Sequence, residues 1–210
     1  EDMVKLLESP NGWQQYLGQR LLTEELLTQT SDSTPTQTAA TLRQLARQHP
    51  NAATRLHALW SLDGISALSR DDILRGLSDD DTHVRHDSVR LTKAWIDDDA
   101  VFAKLSELAI DSEPSVRFQV AIALGESQRS ETTQLLAKLA LKDGPDSSFV
   151  SGLLTSTHER SGAVLNALVA QSDFAATGSS AKAQLVKRLA TVVGVRGDVD
   201  EPVLERLRFV

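Results

Sequence analysis

The sequence contains no cysteine, which excludes disulfides, thiolate metal ligands and a cysteine nucleophile. Cysteine-free chains suit cytosol and periplasm alike, so this absence leaves the compartment open. Aromatic residues make up only 4%, with one Tyr and three Trp, fewer than a β-sandwich core commonly uses. No apolar run approaches the roughly 20 residues of a membrane-spanning helix, and membrane insertion is not expected. The opening residues, Glu1-Asp2-Met3-Val4, do not read as a signal peptide. Runs of Lys and Arg are missing too, and 29 acidic against 22 basic residues leave a net charge of -7. Binding to nucleic acid draws on a cationic surface that displaces counterions from phosphate, so nucleic acid is not an expected partner. What the chain does have is Leu and Ala, both good helix formers, which points to an all-α protein.

The apolar residues recur with a long period. Leu-x-x-Leu followed by a small residue occurs at Leu42, Leu45, Ala46; at Leu74, Leu77, Ser78; at Leu105, Leu108, Ala109; and at Leu136, Leu139, Ala140. A variant follows at Leu165, Leu168 and Val169. Leucines three apart share one helix face, and the small residue lets a neighbouring helix approach. Between these copies runs a second motif, in which Arg55, Arg85 and Arg117 each sit at the opening of a helix. The stripes of those helices are Thr54, Ala58, Leu62; Val84, Ser88, Thr92; and Val116, Val120, Leu124. A spacing of four keeps each stripe on one side of its helix. Stop signals precede the helices at His49-Pro50-Asn51, Asp79-Asp80-Asp81, Ser112-Glu113-Pro114 and Gly144-Pro145-Asp146, where Asp, Ser and Asn suit caps and Pro suits a first turn.

Each unit therefore reads as a helical hairpin of about 30 residues, and a repeat of that length is the mark of a solenoid. The expected architecture is all-α: an α-solenoid (α-α superhelix), right-handed or nearly straight, of about six HEAT-like antiparallel hairpins. They fall at 11–46, 51–78, 82–109, 114–140, 146–169 and 179–208. Polar stretches predict loops at Thr28 to Thr38 and from Ser172 to Ser180. One hairpin cannot bury its apolar face alone, and stacking supplies the continuous core. The expectation is one repeat domain over residues 1–210, excised from a larger multidomain protein.

Three stretches carry a family resemblance. They are Ser9-Pro10-Asn11-Gly12-Trp13 with Gln19-Arg20-Leu21-Leu22; Arg55-Leu56-His57-Ala58-Leu59-Trp60-Ser61-Leu62-Asp63-Gly64; and Val193-Gly194-Val195-Arg196-Gly197-Asp198. In this order, over roughly residues 9 to 200, the chain resembles the HEAT-repeat region of the large exported dehydrogenase-like proteins of planctomycetes and their relatives. There a sorbosone-dehydrogenase-like β-propeller usually precedes the repeats, and a c-type cytochrome domain often follows. The sequence departs from the family pattern at Gln14, Gln15 and Tyr16, where members often have a second aromatic and then an acidic-Thr pair. It has no Cys-x-x-Cys-His haem motif and no propeller sequence. The resemblance implies a redox neighbour and an exported or periplasmic location, and it transfers no redox residue to this chain.

His83 and His86, near Asp80 and Asp81, lack a third firm ligand for zinc. Asp79-Asp80-Asp81 and Asp97-Asp98-Asp99 lack the spaced oxygens and Gly of a calcium loop, and fit helix capping better. Arg55, Arg85 and Arg117 suit structural pairing, with Asp80, Asp81 and Glu113 as partners, over a ladder for an acidic partner. Trp13, Trp60 and Trp95 read as ring packing, with Trp60 in the core and Trp95 partly exposed. His57 reads as an interior or stripe-edge residue, and His158-Glu159-Arg160 lacks the second His of a metalloprotease motif. No Gly-x-Ser-x-Gly elbow or phosphate loop is present. The expectation is no catalytic, cofactor-binding or metal residue, no cofactor and no small-molecule substrate. The chain reads as a non-catalytic scaffold for protein partners, either neighbouring domains of its parent or another protein. Two alternatives on similar repeats are a DNA glycosylase, disfavoured by the acidic balance, and a bilin-lyase-like chromophore carrier.

Overall fold

The computed structural model describes residues 2–28, 35–157, 160–170 and 180–196. Its helices are α1 (Asp2–Leu6), α2 (Gly12–Thr28), α3 (Pro35–Gln48), α4 (Ala52–Gly64), α5 (Arg70–Gly76), α6 (Thr82–Arg90), α7 (Asp99–Leu108), α8 (Pro114–Leu124), α9 (Thr132–Asp143), α10 (Ser147–Ser156), α11 (Ser161–Val169) and α12 (Ser180–Arg196). The fold is all-α and built from helical hairpins of the α-solenoid type, as the periodicity predicts.

Four helix starts, those of α4, α6, α7 and α10, lie where the sequence places a side-chain acceptor. Asn51 Oδ1 accepts the Ala53 amide at 2.9 Å and opens α4. Asp81 Oδ1 accepts His83 and Val84 amides at 2.8 and 3.3 Å and opens α6. Asp146 does the same for α10, and Asp98 takes the Ala100 and Val101 amides at the start of α7. One member of each acidic run, Asp81 and Asp98, is therefore a cap, which satisfies orphan amides and complements the positive helix end. Glu113 departs from this pattern: it precedes α8 without a side-chain cap, Pro114 opens that helix, and Asp111 Oδ1 accepts the Glu113 amide at 2.9 Å.

The chain forms two compact units, Glu1–Leu105 and Ser106–Val210. In the first, α2 packs on α4 and α4 on α6 as one layer, α3 packs on α5 as a second, and α3 against α4 joins them. In the second, α8 pairs with α10 and α9 with α11, while α12 packs on α11. All nine residues of the three stripes are buried, none more than 1% exposed. Their burial is the main driving force for stacking, at about 1.5–3 kcal/mol for each large apolar side chain. The Leu motif is buried at Leu42, Leu77, Leu105, Leu136 and Leu165. Ser78 is instead exposed and donates to the Leu74 carbonyl at 2.9 Å.

Several expectations need correction. The loop predicted for Thr28 to Thr38 is narrower, because α2 runs to Thr28 and α3 already begins at Pro35, a residue preset for a first turn. Residues 29–34 lie outside the described residues, as do 171–179 of the second predicted loop, and Ser180 already opens α12. Of the sixth hairpin only α12 is described. The helix expected from Thr82 onward ends at Arg90 and tightens into a 3-10 turn, Leu91–Trp95. A short helix, α1, precedes the first hairpin and crosses α2 at Gly18, where an added Cβ would lie 2.8 Å from Leu6 Cβ.

Candidate interaction site

The recurrent arginines form a framework inside the loops. Arg55 makes a two-pronged pair with Asp79, Nε to Oδ2 at 2.8 Å and Nη2 to Oδ1 at 2.6 Å, and its Nη1 donates to the His49 and Pro50 carbonyls. Arg117 repeats the arrangement with Asp143, Nε to Oδ2 at 2.8 Å, and with the Asp111 and Ser112 carbonyls. Arg85 donates to the Asp79 and Asp80 carbonyls at 3.0 and 2.9 Å. The planar guanidinium fork suits this double duty. The hydrogen bonds to Asp79 and Asp143 hold both Arg55 and Arg117 more firmly protonated than usual, against the effect of their burial. The carboxylate partners of Arg55 and Arg117 differ from the expected ones. Asp81 uses its carboxylate as the α6 cap, Asp80 is exposed and offers its carbonyl, and Glu113 is exposed.

A second polar node, missed in the sequence, centres on Asp72 of α5. This carboxylate is 2% exposed and takes Arg43 Nε at 3.0 Å, Arg47 Nη2 at 3.1 Å and Ser69 Oγ at 2.6 Å. Ser69 and Asp72 also form a capping box. Burial works against ionisation of Asp72, yet the bonds from Ser69, Arg43 and Arg47 prevail and hold its pKa below the ordinary value. The signal was the Ser-x-x-Asp spacing and the Arg pair at i and i+4 on α3.

The third feature is a cleft of about 770 Å³ in the first unit. Trp60 and Asp63 of α4 line it, with Ser66 and Leu68 of the following turn. Arg90 of α6 and Lys93 and Trp95 of the 3-10 turn complete the wall. Trp60 donates its indole N–H to Asp87 Oδ2 at 3.0 Å, and the Arg90 guanidinium lies 5.1 Å from its ring centroid. That distance is within reach of a cation–π attraction. His86 Nδ1 meets Asp87 Oδ1 at 2.8 Å. Burial opposes ionisation of Asp87, but the Trp60 and His86 bonds lower its pKa below the usual value. Partial burial raises that of Asp63.

The turn after α4 is closed by bonds from the Ala67 amide to the Leu62 carbonyl at 2.8 Å and from the Ser66 amide to the Asp63 carbonyl at 2.9 Å. This is a Schellman termination, and Ser66 occupies its left-handed position at φ 56.

Trp95 is partly exposed as expected, whereas Trp60 and Trp13 differ from the expectation. Trp60 is half-buried at the cleft, not enclosed in the core, and Trp95 is half-buried beside it. Trp13 is 69% exposed and Tyr16 58% exposed, side by side on α2. The inner face of α2 is instead Gln15, Gly18 and Leu22. Gln15 is only 3% exposed because its amide donates to the Leu7 carbonyl at 3.0 Å, which Thr54 also reaches at 2.9 Å.

The histidines fall on separate partners. His57 is half-buried with Nδ1 2.6 Å from Gln19 Oε1, and burial lowers its pKa although Asp87 opposes this. His83 is exposed, and His86 points to Asp87, so the structure does not bring the His pair onto one site with Asp80 and Asp81. Among the described residues no group of three or more His, Asp or Glu is placed to hold a metal ion. His158 and Glu159 lie outside the described residues, while Arg160 donates to the Ser127 carbonyl at 2.6 Å. No helix among the described residues is long and apolar enough to cross a membrane.

Residues 70–150 match the family model for HEAT repeats. This HEAT-repeat region runs from α5 into α10 and contains Arg85, Arg117, Arg90 and the 3-10 turn. The Trp60 side of the cleft and the exposed pair on α2 precede it. No curated protein and no solved structure matches the chain.

Proposed function

We propose that the chain is a non-catalytic protein-interaction scaffold. The observation that carries this reading is how its charges are used. Arg55 and Arg117, together with Asp79 and Asp143, serve the loops between hairpins, and Asp81 and Asp98 serve as caps. The large side chains left at the surface, Trp13, Tyr16 and the two cleft tryptophans, are types that dominate binding at protein interfaces.

The finer role rests on the resemblance of residues 9–13, 19–22, 55–64 and 193–198. In an exported or periplasmic parent the array spaces and docks a dehydrogenase-like domain before it and a c-type cytochrome domain after it. Deleting the repeats from such a parent is expected to slow electron transfer between the flanking domains, followed by the rate of haem reduction. Unchanged electron transfer would sink the finer role.

A further inference from the structure

We propose that the Trp60–Trp95 cleft binds an acidic peptide segment of a protein partner, one in which an apolar side chain is flanked by carboxylates. This deepens the scaffold reading and rests on it.

Charge complementarity selects the occupant. The chain carries a net charge of -7, yet this cleft is lined by two cations, Arg90 and Lys93, against one carboxylate, Asp63. Lys93 is exposed and makes no ion pair among the described residues. Arg90 is 3.5 Å from Asp87 Oδ1, the long end of a hydrogen bond, and that carboxylate already serves Trp60 and His86. The half-buried Asp87 therefore balances Arg90 only in part, and Asp63 is the one carboxylate in the lining beside the two cations. Between the cations, Trp60, Trp95 and Leu68 offer an apolar wall, and the volume is in the range of about 300–1,000 Å³ typical of ligand sites. Asp63 supplies an acceptor for a backbone N–H of the bound segment.

The walls are set in advance. Asp87 fixes the Trp60 ring, and the Schellman turn fixes Ser66 to Leu68. The 3-10 turn is anchored by buried Leu91 and Thr92, with Thr92 Oγ1 on the Val89 carbonyl at 2.7 Å. A site that needs no ordering keeps more of its contact energy as affinity. A nucleic acid strand would also use cations and stacking rings. Here, however, the lining holds only two cations, Arg90 and Lys93, too few to track a phosphate backbone along a strand.

The test uses the full chain and fluorescein-labelled synthetic peptides read by anisotropy. The probe has one Phe between two pairs of Glu. Its controls replace every Glu with Lys, or the Phe with Gly. Saturable binding of the probe is expected, about tenfold tighter than either control and weakened at high salt. Lys93→Glu, at an exposed position, and Trp95→Ala are each expected to weaken it about tenfold, whereas Arg20→Glu on α2 leaves it unchanged. No saturable binding, equal binding of the Lys peptide, unchanged affinity in Lys93→Glu, or tighter binding of a single-stranded oligonucleotide each overturns the proposal. In the parent protein the two readings separate. Electron transfer slowed by deleting the repeats but unchanged in Lys93→Glu removes the cleft alone; electron transfer unchanged after the deletion removes the docking role.

Discussion

Asp72 gathers two arginines, a serine hydroxyl and a capping box on a carboxylate that is 2% exposed. Removing one partner from a buried ionic group leaves the others desolvated and unmatched, which is worth more than the pair itself. Asp72→Ala is therefore expected to lose about 3 kcal/mol of stability in urea unfolding. The pH dependence has a definite sign. The Asp72 carboxyl lies below its ordinary 3.8, so its contribution is present above 3.8 and disappears as pH falls through the lowered value. His57 acts in a different window. Its pKa is lowered from 6.5, so the folded chain binds fewer protons than the unfolded chain, and stability falls as pH drops from 6.5 through the lowered value. His57→Gln is expected to flatten the curve of denaturation midpoint against pH near 6 and to leave the loss below 4 in place. Neither node was legible as such, because sequence spacing shows which residues share a helix but not which carboxylate two helices enclose. The Trp13 reading failed for a related reason. A hydrophobicity pattern assigns the ring inward, whereas Gln15 occupies the interior by satisfying its amide on Leu7.

At the scale of elements, the stripes were readable because a spacing of four is a geometric property of the helix itself. The 3-10 turn was not, since Leu91 and Thr92 continue the apolar pattern of α6 and the tightening shows only in the hydrogen-bond register. Small residues govern how closely elements meet. An added Cβ at Gly76 would lie 2.1 Å from Ser88 Oγ and 3.1 Å from Leu59, so α5 can approach α4 and α6 only with Gly there. Ser66 is the opposite case, an L-residue in a left-handed conformation with φ 56. That conformation costs about 1–2 kcal/mol in non-glycine residues, part of which Gly would return as entropy of the unfolded chain. Ser66→Gly is expected to raise stability by up to about 1 kcal/mol, seen as a higher thermal midpoint.

For the molecule as a whole, stability in a repeat array is a sum of units and nearest-neighbour interfaces. Arg117 sits at one such joint, 6% exposed, with Asp143 on one side and two loop carbonyls on the other. Arg117→Ala is expected to cost about 3 kcal/mol, and Arg117→Lys to recover less than half, because a single ammonium cannot reproduce the fork. Hydrogen exchange should show the loss in α8 and α9 while the amides of α2 and α4 stay protected, as nearest-neighbour coupling requires. The recurrent Arg was legible from its period alone. Its partners were not, since Asp79 and Asp143 close the far ends of the same hairpins.

That last placement bears on how such a chain can change length. Arg55 pairs forward with Asp79, in the loop that follows α5, and Arg117 with Asp143, at the end of α9, so each hairpin carries both halves of its own ion pair once the residues just after it are counted. From the preceding loop it borrows only backbone carbonyls, which every sequence supplies. Each is therefore a portable cassette. A duplication or loss whose ends fall just after Asp79 and just after Asp143 strands neither Arg55 nor Arg117, whereas one that ends between α3 and α5 parts Arg43 and Arg47 from Asp72.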